Sequence, residues 1–76
     1  MKIIAYTKTG CPWCEELKEF FNENNIEFIE KNVIENEEYM DEMVELSGQV
    51  KTPTVVIGGI VYGDVGVNEV RVLLGL

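Results

Sequence analysis

The run TGCPWCEE at residues 9–16 holds both cysteines of the chain, Cys11 and Cys14, with Pro12 and Trp13 between them. Two sulfurs this close can be a staple, part of a metal site, or a reactive pair. A bridge between them closes a very small loop and so constrains the unfolded chain least. A tetrahedral zinc site needs four ligands, and the chain has two cysteines and no histidine. A close-spaced dithiol without further ligands reads as redox chemistry.

The residues around the pair say how it would work. Proline favours the first helical position, because its ring fixes φ and it has no N–H to lose. That makes Cys11 the cap residue and puts Cys14 one turn further on. Residues three apart on a helix have alpha carbons roughly 5 Å apart, within the window for a disulfide. The free N–H groups of Trp13 and Cys14 then point toward the Cys11 sulfur, and the helix dipole favours negative charge there. A thiolate held this way titrates below about 8.5 and is the nucleophile. Cys14 falls on the buried helix face and reads as the resolving partner. Lys8, three residues before Cys11, can add positive charge. Trp13 is four residues before Leu17, near the buried face, but the first turn should project past the sheet and leave it at an exposed lip.

The elements that must position these residues follow from the pattern of the whole chain, residues 1–76, which is long enough for one domain and too short for two. Lys2 to Tyr6 reads as a short buried strand. From Pro12, apolar residues at Cys14, Leu17, Phe20 and Phe21 share one helix face, and Asn22, Asn24 and Asn25 end it. Ile26 to Val33 reads as a second strand. Asn36 caps a second helix with Met40, Met43 and Val44 on one face, closed by Gly48. Thr54–Ile57 and Ile60–Tyr62 form a hairpin around Gly58-Gly59. Asn68 to Leu74 is a final helix with Val70, Leu73 and Leu74 facing inward. The order βαβαββα implies an α/β fold: a four-stranded mixed sheet with three helices, and the cysteine turn beyond the carboxyl end of the first strand.

Charge narrows the partners. The net charge is −8, and twelve of the fourteen acids lie between Glu15 and Glu45. That excess argues against nucleic acid and anionic membrane; Lys8 and Lys51 lie outside the acidic block. Met1 to Tyr6 lacks the pattern of a secretion signal and no apolar run reaches membrane-spanning length, so the expected location is the cytoplasm. A monomer without a bound cofactor or metal is expected. Thr52-Pro53 begins a strand, and locally it reads as an ordinary trans proline.

Tyr6-Thr7-Lys8-Thr9-Gly10-Cys11-Pro12-Trp13-Cys14 resembles the active-site segment of the glutaredoxin family, and the βαβαββα order extends the resemblance through the chain. The resemblance implies a thioredoxin-like fold and reduction of protein disulfides and glutathione mixed disulfides by Cys11 and Cys14. It implies that the Thr52–Pro53 bond is cis and lies beside Cys11, reversing the local reading. It also implies a glutathione site: Lys8 for the glycine carboxylate, the backbone of Thr52 beside Pro53 for the peptide, Trp13 as a flanking surface and Asp64 for the γ-glutamyl end. Gln49 is a looser match. Where the family usually has paired glycines before its acid, this chain has Tyr62-Gly63-Asp64-Val65-Gly66. Three alternatives stay open: a redoxin that draws on thioredoxin reductase and serves ribonucleotide reductase, a dimer carrying a [2Fe–2S] cluster, and a regulatory module whose dithiol only reports redox state.

Overall fold

The computed structural model describes residues 2–76; Met1, the start of the apolar run weighed above, lies outside the described residues. Its elements are β1 (Ile3–Thr7), α1 (Pro12–Glu23), β2 (Ile29–Asn32), α2 (Glu37–Ser47), β3 (Thr54–Ile57), β4 (Ile60–Tyr62) and α3 (Val67–Leu73). The sheet order is β2-β1-β3-β4. The β1–β2 pair is parallel across α1, while β1–β3 and β3–β4 are antiparallel. This is the four-stranded mixed sheet with three helices that the pattern predicts. No helix among the described residues is long and apolar enough to cross a membrane.

Strand alternation sorts the apolar residues onto two faces. Ile3, Ala5, Val55 and Ile57 meet Leu17 and Phe21 from α1 and Val70 from α3. The opposite face gathers Tyr6 with Ile4 and Val56 against Tyr39, Met40 and Met43 of α2, and Val33 joins them. β1 is therefore covered on both sides, and its carboxyl end is held where the cysteine turn begins. The Val33 N–H donates to the Thr7 carbonyl at 2.8 Å, extending the parallel pairing to the end of the strand.

Side-chain bonds fix the helices to the same strand. The Thr7 hydroxyl donates to Glu30 at 2.8 Å, and Lys18 of α1 reaches both Glu30 at 3.0 Å and Glu15 at 3.1 Å. On the other face, the Tyr6 hydroxyl and Lys31 both donate to Glu42 of α2 at 2.8 Å. Burial and the neighbouring Glu42 carboxylate push the Tyr6 hydroxyl up to about 12, so it stays a donor. Asn36 caps α2 by accepting from the Glu38 N–H, and Gly48 closes it at φ +74°.

Two expectations need correction. The second strand is shorter than Ile26–Val33. Asn25 takes a left-handed turn at φ +54°, and the Ile26 N–H bonds back to the Phe21 carbonyl. Ile26 and Phe28 then pack onto the first core cluster rather than pair in the sheet, and Ile29 is 46% exposed. In α3, Val70 is fully buried and Leu74 packs against the core, but Leu73 is 42% exposed. Positions 70 and 74 lie one above the other, and Leu73 lies a step round the helix from Leu74, toward solvent.

Phe21→Ala is expected to cost about 3–5 kcal/mol in urea unfolding of the reduced protein, because the ring is fully buried against Phe28. Leu73→Ala should move stability by less than about 1 kcal/mol. Equal losses at the two positions would contradict this packing.

Candidate active site

Gly10, at φ +78°, turns the chain from the end of β1 into the start of α1. Cys11 is the cap residue with extended backbone (φ −103°, ψ 107°), and Pro12 takes the first helical position. The Cys14 N–H donates to the Cys11 Sγ at 3.2 Å. Two N–H groups are expected there from the sequence; the structure gives only that of Cys14, the third helical residue, as a bond to the sulfur. Both thiols are free, and both side chains are buried, Cys11 at 2% exposure and Cys14 at 0%. Burial alone therefore does not distinguish them.

Hydrogen bonding and charge do. Burial is the largest single influence on Cys11 and pushes its thiol up. The Cys14 thiol and N–H, the Thr52 hydroxyl and the Lys8 charge together outweigh it, so the Cys11 thiol titrates below its ordinary value. Cys14 goes the other way, pushed up to about 11 by burial first and then by the Cys11 sulfur. Of the two thiols, Cys11 is accordingly the one that gives up its proton more readily and Cys14 the one that holds it. Glu15, which would oppose a thiolate, is paired with Lys18.

The Thr52–Pro53 peptide bond is cis, as the resemblance implies and against the local reading. The turn is held on both sides. The Thr54 hydroxyl donates to the Lys51 carbonyl at 2.8 Å, and the Val65 N–H donates to the Pro53 carbonyl at 3.1 Å. The Thr52 hydroxyl faces the Cys11 Sγ at 3.7 Å. Among the described residues, the backbone N–H and C=O of Thr52 take no hydrogen bond and leave a short edge for an extended peptide.

An open groove of about 890 Å³ runs from this turn between α1 and the start of α3. Lys8, Trp13, Thr52, Pro53 and Asp64, predicted from separate parts of the chain, all line it. Trp13 is 65% exposed at its lip, the placement expected over a core position. Gln49 does not line it: its amide lies against Gly63, where an added Cβ would make it shift. Asp64 sits in left-handed backbone at φ +54°, and its carboxylate is 3.7 Å from Lys51. Both partners are more than half exposed, so this pair adds little stability. It does mean that Asp64 already has a cation beside it. Glu69 reaches back to accept from the Gly66 N–H at 2.9 Å.

Among the charged groove residues, sequence reasoning missed Lys51, Arg71, Glu16, Glu19, Glu23 and Glu69. The signal for Lys51 was its position as a cation close in sequence to Thr52 and Pro53; nothing local marks the others. No group of three or more His, Cys, Asp or Glu residues stands close enough to hold a metal among the described residues.

Comparison with known proteins places this arrangement. Residues 3–61 match the glutaredoxin family. An uncharacterized glutaredoxin-like 8.6 kDa protein in a rubredoxin operon of Clostridium pasteurianum is 34% identical over 70 residues, covering 92% of this chain and 91% of its own. The crystal structure of the thioredoxin-like protein BC3987 superposes with a TM-score of 0.86 at 32% identity, covering 95% of this chain and 99% of that one. NrdH-redoxin of Escherichia coli, described as a glutaredoxin-like protein with a thioredoxin-like activity profile, gives 0.70 at 25% identity, covering 83% and 82%.

Ultraviolet thiolate absorbance of the Cys14→Ser variant should show a Cys11 midpoint below that of an ordinary thiol, about 8.5. Reaction with a disulfide should rise with pH through this lowered midpoint and then level off, because only the thiolate attacks. A midpoint at or above the ordinary value would contradict the electrostatics described here.

Proposed function

We propose a function from one premise: the chain belongs to the glutaredoxin family. The protein is a thiol–disulfide oxidoreductase that reduces protein disulfides, with glutathione as the co-substrate that restores its dithiol. The observation that supports this best is the Cys14 N–H on the Cys11 sulfur, with Lys8 adding positive charge nearby. The Cys11 thiolate attacks one sulfur of a substrate disulfide. That S–S bond breaks, a mixed disulfide forms, and the leaving thiolate takes a proton. Cys14 then loses its proton and attacks the Cys11 sulfur, releasing the second substrate thiol. Two electrons pass to the substrate and the Cys11–Cys14 disulfide remains.

Glutathione reverses that last state in two exchanges. Lys8 would meet its glycine carboxylate, the free edge at Thr52 its peptide backbone, Trp13 and Pro53 its flank, and Asp64 its ammonium. The groove that gathers these residues supports the reading.

A second reading has its own support. Asp64 already pairs with Lys51, and the Glu69 carboxylate already takes the Gly66 N–H. Both arrangements weaken the groove's hold on the acidic, zwitterionic end of glutathione. Losing one well-made charged hydrogen bond costs roughly 1.5–3 kcal/mol, or a factor of ten and more in affinity. A redoxin restored by thioredoxin reductase, and serving an enzyme such as ribonucleotide reductase, fits this groove and the likeness to NrdH-redoxin.

One assay separates them: reduction of a model disulfide with glutathione and its reductase, beside the same reaction with thioredoxin reductase. The first reading predicts weak but measurable glutathione-dependent turnover, with Lys8→Ala raising KM more than it lowers kcat. Turnover with thioredoxin reductase alone establishes the second. In either system Cys11→Ser should abolish turnover. Cys14→Ser should lose protein-disulfide reduction and keep single-thiol removal of glutathione. Activity surviving in Cys11→Ser would overturn both readings.

A further inference from the structure

We propose that the protein's disulfide substrates are cationic, and that Glu16, Glu19 and Glu23 of α1 select them by facing lysine or arginine side chains close in sequence to the reacting cysteine. The inference rests on the dithiol reading above and names the substrate class of that same site.

That a substrate lies in this groove follows from the reactive sulfur and the unpaired edge of Thr52 at its mouth. The acids bear on which substrate it is. The contacts described for glutathione use only the end nearest Cys11. The groove continues along α1 as far as Glu23, with Arg71 of α3 on its other wall. Glu16, Glu19 and Glu23 recur at helical spacing, share a face with the exposed Trp13 and are themselves exposed. None of the three is in an ion pair among the described residues. Lys18, the one cation in the sequence of α1, goes to Glu15 and Glu30.

Helix stability does not explain these acids. Like charges three or four residues apart repel, as in the pairs Glu16–Glu19 and Glu19–Glu23, and an acid in the last turn opposes the helix dipole. α1 nevertheless ends on Glu23 with no basic residue in its last turn. The groove's cations leave this negative strip in place: Lys8 stands at the sulfur end, and Lys51 is paired with Asp64. A strip of one sign along a cleft raises the local concentration of a partner of the opposite sign and repels its own. It therefore favours a cationic segment over an anionic thiol. The spacing sets the segment's form. At 1.5 Å per residue, Glu16 to Glu23 stand about 8–18 Å along the helix from the Cys11 cap position. An extended chain covers that span in roughly two to five residues.

Two short peptides with one cysteine each, oxidised to their symmetric disulfides, test this. One carries lysines at the second and fifth positions on either side of the cysteine, the other glutamates. The reduced protein is mixed with each, quenched in acid and followed by mass; every turnover releases two peptide thiols and leaves the Cys11–Cys14 disulfide. Each rate is divided by that with dithiothreitol, a neutral dithiol, which removes the peptide's own reactivity. The lysine peptide should be preferred roughly five- to tenfold at low ionic strength, as a few exposed charge pairs supply, and less in high salt. Glu16→Gln, Glu19→Gln and Glu23→Gln together should bring the ratio close to one. Glu35→Gln, Glu38→Gln and Glu45→Gln remove the same charge around α2, outside the groove, and should leave the ratio standing. A ratio near one in the parent protein would overturn the proposal. So would a preference that survives in the α1 variant, or one lost equally in both triple variants, because overall charge would then govern. A protein that reduces neither peptide would instead overturn the dithiol reading beneath it.

Discussion

The bond from the Cys14 N–H to the Cys11 sulfur depends on α1 starting at one place in the sequence. Pro12 sets that start, because it is favoured at the first helical position and disfavoured one turn further in. With the start fixed, Cys11 becomes the cap and Cys14 the third helical residue. The helix end then does for sulfur what it does for the oxygen of a serine or aspartate cap. Worth up to about 2 kcal/mol in partly buried geometries, such an interaction contributes substantially against the burial that pushes the thiol up. The chemical difference between two cysteines in the same turn begins with their positions on the helix, and the Thr52 hydroxyl and the Lys8 charge add to it.

The rest of the fold brings distant residues to that helix end. β1 delivers Lys8 and Gly10 to the turn, and α1 and α2 hold its flanks through Glu30 and Glu42. β3 begins at Thr54, so Thr52 and Pro53 lie beside the Cys11 sulfur just as β1 ends beside it. The antiparallel pairing of β1 with β3 is what makes those two ends meet. α3 then closes the far side of the groove and contributes Glu69 and Arg71. The groove carries both signs of charge: Lys8, Lys51 and Arg71 line it together with Glu16, Glu19, Glu23, Asp64 and Glu69.

Much of this was legible in the sequence because it is local. The Cys-Pro-Trp-Cys turn, the Asn36 cap and the Gly58-Gly59 hairpin are each set by neighbours in the chain. The exposure of Trp13 followed from the first turn projecting past the sheet. The isomer of the Thr52–Pro53 bond did not follow from local sequence; it came only from resemblance. What was misread depends on tertiary contacts. Ile26 to Phe28 carries strand-like residues, yet the left-handed turn at Asn25 gives Ile26 to the end of α1 and sends its side chain into the core. Leu73 is apolar and helical, but the side of α3 that carries it is exposed. The Lys51–Asp64 pair and the Thr52–Cys11 contact join residues far apart, and no spacing rule announces them.

Cys11 gives up its proton more readily than Cys14, although both are buried. Limiting alkylation measures this directly. The fully reduced protein is treated at neutral pH with less than one equivalent of iodoacetamide, quenched in acid and mapped by peptide mass spectrometry. The label should fall almost entirely on Cys11, since the thiolate is the reacting species. A label that falls first on Cys14, or equally on both, would contradict it.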